Sequence, residues 1–342
     1  MSPIAPTLMA LGAQIAELTR KLGHPVAVET LGVLDRRGLL ALDRPGLASP
    51  NRACRLFRAA DDWLVLNLAR DDDRDLVAAW LQTDVGDDPW DIVQRLAMAR
   101  PAADLLADGV MLGLPLGRVG EIVRDGPKAP LLGLGRATGR PAGKPPRVVD
   151  MSALWAGPMC GAILAEAAAD VLKVESVRRP DPTRGSMPAF FERLNGRKRQ
   201  LALDLADPSD QARLRDEILA ADVLITSARP RAFVSLGLSP DEIFKAHPAL
   251  VWVAVTGYGW TGEAAHRVAF GDDAAAAGGL VRRTKACAPR FLGDALADPV
   301  TGLAAALGAL EGLAAGGGVL VDVSLAGSAA GAAADRQRLA AA

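Results

Sequence analysis

The chain has 342 residues, 50% of them hydrophobic and 23% charged, enough to bury one large core or two smaller ones, so two domains are expected. A formal net charge of -1 provides no global positive field for a polyanion, which argues against nucleic acid as a partner and makes any anion site local. Cys54, Cys160 and Cys287 stand far apart without CxxC or Cys/His spacing, which indicates neither a disulfide framework nor a metal site and fits a reducing, cytoplasmic setting.

The opening stretch MSPIAPTLMALGAQIAELTRK carries Gln14 and Glu17 where a signal peptide would be apolar, and reads as an amphipathic helix of the mature chain. Residues 54–69 (CRLFRAADDWLVLNLA) read as two strands around an Ala-Ala-Asp-Asp turn, followed by helical stretches near 72–82 and 88–107. Together these predict a small α+β domain over residues 1–125. Residues 126–146 are rich in Pro, Gly and cations without periodicity, and read as a linker. The glycines of GLGRATG within it lack the preceding strand and following helix of a dinucleotide loop.

From residue 147 the pattern alternates regularly. RVVDMS, an Ala-rich helix, DVLKVE, QLALDL, a helix from Pro208 capped by Asp207, DVLIT, LVWVAVTGYG and GVLVDVS follow in order. Short Val/Leu/Ile strands alternating with helices predict parallel βαβ units, and hence a Rossmann-like, doubly wound, mainly parallel sheet over residues 147–342. Residues 300–321 are long enough to raise a membrane span, but their Ala/Gly content, Glu311 and a glycine run point to a buried helix followed by a buried strand.

Within this half, Ala156, Gly157 and Pro158 open a helix after the first strand, where backbone N–H groups and a positive helix end favour an anion. Arg178, Arg179 and Arg184 lie in one loop, and Asn195, Arg197, Lys198 and Arg199 in another. Gathered at one end of the sheet they would suit phosphates, although a charge run is also the ordinary make-up of a solvated face. Asp272 and Asp273 open an Ala/Gly-rich helix, where a carboxylate stays ionised or serves only as a cap.

Seven segments in order, DMSALWAGPMCGAILAEAAADVLKVE (150–175), DPTRG (181–185), LNGRKRQLALDL (194–205), DVLITSARPRAFVSLGL (222–238), VAVTGYGWTGEAAHRVAFGDDAAAAGGL (253–280), GDALADPVTGL (293–303) and LVDVS (320–324), resemble the class III CoA-transferases of the CaiB/BaiF family. The resemblance covers about half of the chain and rests on the shared order of the pieces. It implies acyl-CoA as substrate, no permanently bound cofactor, and a carboxylic acid as acceptor of CoA. It places CoA at Ala156, Gly157 and Pro158, at the two basic loops, and at Ser227, Arg229, Gly257 and Tyr258. Ser227 and Ala228 stand where the family has Asn and Phe, and Ser235 where it has Arg. The family's catalytic carboxylate falls on Gly271 by strict counting from Arg267 and on Asp272 with one inserted residue, with Asp273 beside it. It also implies a homodimer, as does a C-terminal helix (325–342) too apolar for solvent.

Segments 51–81 and 107–122 resemble the family's small domain but come first here, an order like a circular permutation. The implied reaction is CoA transfer through an aspartyl anhydride and thioester, with backbone N–H groups near residues 257–259 or the 156–158 turn stabilising the oxyanion. The alternatives are a 2-methylacyl-CoA racemase, which needs two bases from a chain holding only His24, His247 and His266, and a CoA-binding homologue without catalysis.

Overall fold

The computed structural model describes residues 2–84, 86–139 and 144–341. Helix α1 (Ala5–Lys21) carries Leu8, Leu11 and Ile15 at helical spacing, and these pack with Ile4, Val26, Val28 and Val33 into the main core. The first 33 residues therefore belong to the large core and not, as the sequence pattern predicts, to the small domain. Strands β1 (Cys54–Arg58) and β2 (Trp63–Asn67) form the expected antiparallel hairpin. Helix α2 (Asp71–Trp80) follows. The stretch expected as one helix divides into α3 (Pro89–Leu96) and α4 (Ala102–Met111), because Arg100 is extended ahead of Pro101, a residue that disfavours helix before it. Strand β3 (Leu116–Arg118) completes a three-stranded antiparallel sheet.

Residues 126–146, expected to be a linker, include β4 (Leu131–Gly133), which borders the main sheet; residues 140–143 of that stretch lie outside the described residues. Next come β5 (Arg147–Asp150), α5 (Ala156–Glu166), β6 (Asp170–Ser176), α6 (Thr183–Ser186), α7 (Pro188–Asn195) and β7 (Arg199–Leu203). Helix α8 (Pro208–Leu219) starts as the sequence signals, with Asp207 accepting from the Ser209 and Asp210 amides. Strand β8 (Val223–Thr226), helices α9 (Pro230–Ser235) and α10 (Pro240–Ala246), β9 (Val251–Thr256) and α11 (Gly271–Ala277) follow. The chain ends with a small hairpin of β10 (Val281–Arg283) and β11 (Pro289–Phe291), then α12 (Ala297–Ala314), β12 (Val319–Ser324) and α13 (Leu325–Ala341).

The main sheet has the order β4-β12-β9-β8-β5-β6-β7 and is parallel except for β4. Alternate side chains feed two cores: Val148, Ile225, Val253 and Val323 face α1, α5 and α12, while Val149, Leu224, Trp252 and Leu320 face the α8–α10 side. The expected Rossmann-like sheet is present. The chain winds outward from β5 in both directions, so the crevice between the loops after β5 and β8 is the topological switch point where such sheets bind ligands. The apolar half of α13, Leu325 to Ala333, is buried within the chain in contact with α11 and α12, so it offers no bare face to a second copy.

Candidate active site

The loop after β5 is fixed from below by four buried charges. Lys198 Nζ lies 2.7 Å from Asp150 Oδ2 and donates to the Pro158 carbonyl and to Asn195 Oδ1, each at 2.8 Å. Lys173 Nζ donates to the Ser152 carbonyl and stands 3.7 Å from Asp181. All four side chains of these two ion pairs are fully buried. Burial raises the Asp150 carboxyl, but Lys198 and Lys173 outweigh it and hold the group below the ordinary carboxylate range. Burial also pulls the Lys198 ammonium down, partly offset by Asp150. Above these pairs, the Ala153 amide donates to Ser227 Oγ at 2.9 Å, tying the two loops of the switch point together.

The structure separates the two basic loops. Arg178 and Arg179 follow the C-terminal end of β6, while Arg199 is the first residue of β7 and pairs with Asp170 at the start of β6, at the opposite edge of the sheet. Arg197 pairs with Glu166 at the end of α5, and Lys198 and Asn195 are buried. Arg178 pairs with Asp204; Arg184 pairs with Glu175 and lies over the Phe191 ring. Arg179 alone among the six lacks a side-chain partner among the described residues. Its charge is felt by Arg229, whose guanidinium is pulled below its usual range by burial and then by Arg231, Arg70 and Arg179. This four-arginine group at the C-terminal edge includes Arg70, which sequence reasoning misses because it stands alone in the small unit ahead of α2. Arg70 pairs with Asp73 and stacks over Phe270 at 5.5 Å.

Asp272 and Asp273 enter from the first turn of α11, but with different surroundings. Asp273 is fully buried and accepts from Asn67 Nδ2 at 3.0 Å and from the Phe270 amide, which caps the helix and ties it to β2. Burial drives its carboxyl well above the ordinary range. Asp272 is 3% exposed; Oδ2 accepts from Asn51 at 2.6 Å and Oδ1 from the Ala295 amide at 2.7 Å. Burial and Asp294 push it up to about 6, against the pull of those donors and Arg36. Asp294 itself takes both prongs of Arg36 at 2.9 and 2.7 Å, and Arg36 stacks over Trp155. Asp298, in the first turn of α12, completes this junction. Desolvation pushes it up to about 7, opposed by Arg36 and aided by Asp272 and Asp294, with the Ala156 amide also holding it down. Arg36 does not stand out in the sequence, and Asp298 appears there only as part of the GDALADPVTGL segment with no role attached, because their neighbours come from distant segments.

The 156–158 turn is buried at the mouth of α5 and faces Asp298. The Gly259 amide is spent on Thr256 and the Trp260 amide on Asp322 within their own loop. Tyr258 lies under Arg267, 3.8 Å from its ring centre, and Arg267 clamps Glu121 of the small unit. Tyr258 thus serves the packing between units, its hydroxyl beside Gly117, while the Gly257 carbonyl accepts from the Ala326 amide at the start of α13. His247 bonds the Ala221 carbonyl and His266 is exposed, so neither joins the junction.

The profile described as CoA-transferase family III matches residues 146–337. The chain is 30% identical over 192 residues to the succinyl-CoA–D-citramalate CoA-transferase of Chloroflexus aurantiacus, covering 52% of this chain and 48% of that protein. It is 30% identical over 193 residues to the acetyl-CoA:oxalate CoA-transferase of Acetobacter aceti, at 52% and 49% coverage. It is also 30% identical over 192 residues to the mouse succinyl-CoA:glutarate CoA-transferase, at 52% and 44%. The chain thus spans about half the length of the curated relatives it matches. A CaiB/BaiF family protein from Brucella suis superposes with a TM-score of 0.52 at 27% identity, over 56% of this chain and 55% of that one.

Proposed function

The chain belongs to CoA-transferase family III, and from that premise we propose that it moves CoA from an acyl-CoA to a free carboxylic acid. The observation that carries this reading is that three arginines without carboxylate partners among the described residues, Arg179, Arg229 and Arg231, stand on the loops after β6 and β8, while desolvated carboxylates stand at the α11–α12 junction, where Asp298 faces the Ala156 amide that follows β5. The arginines suit the phosphates of CoA, and a carboxylate of raised basicity suits attack on a thioester. Arg70 adds a fourth charge from the small unit.

In this reading a carboxylate attacks the acyl carbon, the C–S bond breaks, and CoA leaves as thiolate from a mixed anhydride. The thiolate attacks the aspartyl carbon of that anhydride, releasing the donor acid and leaving an aspartyl-CoA thioester. The acceptor carboxylate reverses both steps, expelling the thiolate and then losing its acyl group to it, which regenerates the aspartate. No net proton or electron is consumed. The sequence nominates Asp272 for this role. The free thiols of the three cysteines suit a cytoplasmic setting, and a homodimer belongs to this reading on the family resemblance alone.

Chromatography of the full chain with succinyl-CoA and glutarate or oxalate tests the reading. Acceptor-dependent appearance of a new acyl-CoA is expected. CoA binding with both substrates unchanged supports a homologue without catalysis, and deuterium entering the alpha carbon of a 2-methylacyl-CoA without acceptor supports a racemase.

A further inference from the structure

We infer that the carboxylate that carries the acyl relay in this chain is Asp298, reaching over the glycine at position 271 from the start of α12, and that Asp272 positions it. The inference rests on the covalent reading above and names its residue.

Residue 271 has no side chain, and the space one would fill is taken. A Cβ built there collides with Asp298 Oδ2 and comes within 2.8 Å of Ala295 Cβ and 2.9 Å of the Ala295 carbonyl. The glycine is what lets the α12 carboxylate lie across the first residue of α11. That places Asp298 in the first turn of α12 and opposite the Ala156 amide that opens α5 beside the switch point.

Accessibility and hydrogen bonding separate the two candidates. Asp272 is closed off, and each of its oxygens already has a donor within 2.7 Å. To attack, it would have to break a bond to Asn51 or Ala295 and find a path through packed atoms. Asp298 is partly exposed and accepts from one backbone donor, the Ala156 amide, with no side chain among the described residues held against it as Asn51 is against Asp272. Its basicity suits a nucleophile, because desolvation raises it while Arg36 acts as the counter-charge that keeps it from staying neutral. Asp272 then has a different part. By binding Asn51 and Ala295 it fixes the segment that leads into α12, and its negative charge keeps Asp298 basic.

The test is to locate the activated carboxyl. The full chain is mixed with succinyl-CoA, quenched with hydroxylamine, digested, and searched by mass spectrometry for an aspartyl hydroxamate. An adduct on Asp298 is the expected result. An adduct on Asp272 overturns this assignment while leaving the covalent relay intact, and no adduct on any carboxyl of the junction overturns the relay and the assignment together. Asp298→Asn and Asp272→Asn give a second line, each checked for a cooperative thermal transition no lower than the parent's and for unchanged CoA affinity. Asp298→Asn should lower kcat by about 10³-fold or more at unchanged KM for acyl-CoA and lose the adduct, whereas Asp272→Asn should lower kcat about 10-fold, keep the adduct on Asp298 and shift the pH profile to lower pH. The reverse pattern of losses sinks the proposal.

Discussion

Replacing Lys198 by Met tests how the switch-point loop is held. Methionine keeps the length of the side chain and removes the ammonium, so the Asp150 carboxylate, the Pro158 carbonyl and Asn195 Oδ1 lose a donor at 2.7 to 2.8 Å inside a fully buried site. Asp150 retains Ser152 and the more distant Lys173. Breaking one side of a buried pair costs about 3–5 kcal/mol, mostly through the charge left behind. For a chain of this size that corresponds to a fall in Tm of roughly 6–10 °C. Adding Asp150→Asn removes the stranded charge, so the double variant should recover about 2 kcal/mol or more relative to the sum of the single losses. The assay is denaturant unfolding of the four proteins, with the midpoint and slope fitted together. A Lys198→Met variant within about 1 kcal/mol of the parent, or strictly additive losses, would refute the claim that this pair anchors the loop after β5.

Three further outcomes follow from the same geometry. Both Asp272 and Asp298 have folded pKa values raised above the ordinary 3.8, to about 6 and about 7. The folded chain therefore holds protons that the unfolded chain has released; stability from these groups is full below about pH 4 and is lost as the pH rises to about 7. Asp298→Asn removes part of that loss, so its stability relative to the parent should improve between about pH 4.5 and about pH 8 in urea unfolding, and a gap that does not change with pH contradicts the assignment. Replacing Arg179 and Arg229 together by Ala should weaken CoA binding by roughly 10- to 100-fold and flatten its salt dependence, while Arg199→Ala, at the far edge of the sheet, should leave affinity within about 2-fold in calorimetry. Arg267→Ala strands Glu121 at a largely buried contact, and amide exchange should speed up across residues 116–122 while the strands of the main sheet stay protected; equal protection would remove the clamp role.

The sheet is legible in the sequence because each of its strands from β5 onward is a short apolar run bounded by turn residues, and the Asp207–Pro208 helix start is a local signal. The hairpin of β1 and β2 is visible for the same reason. Helix α1 falls to the wrong unit on sequence alone because amphipathicity tells a face but not its partner; only the folded chain brings Leu11 and Ile15 into the core with Leu303 and Leu307. Strand β4 carries three residues and pairs only along β12, too short to read inside a Pro/Gly-rich stretch. The basic loops mislead in a specific way. Sequence proximity puts Arg197 and Arg199 with Arg178 and Arg179, but β6 and β7 are parallel, so the residue that begins one strand and the residue that follows another lie at opposite edges. The junction of Arg36, Asn51, Asp272, Asp294 and Asp298 joins residues up to 262 positions apart in the chain (298 minus 36), which no spacing rule gathers.

Whether a covalent relay operates is decided by the intact mass of the chain after a few seconds with succinyl-CoA and no acceptor, quenched in acid. Such a relay leaves CoA attached to the protein as a thioester, a species of one CoA per chain that glutarate then discharges as a new acyl-CoA. That species is expected in the parent chain, and its loss in Asp298→Asn. A parent chain that forms new acyl-CoA yet never gains mass, under quench times shorter than one turnover, would contradict the relay.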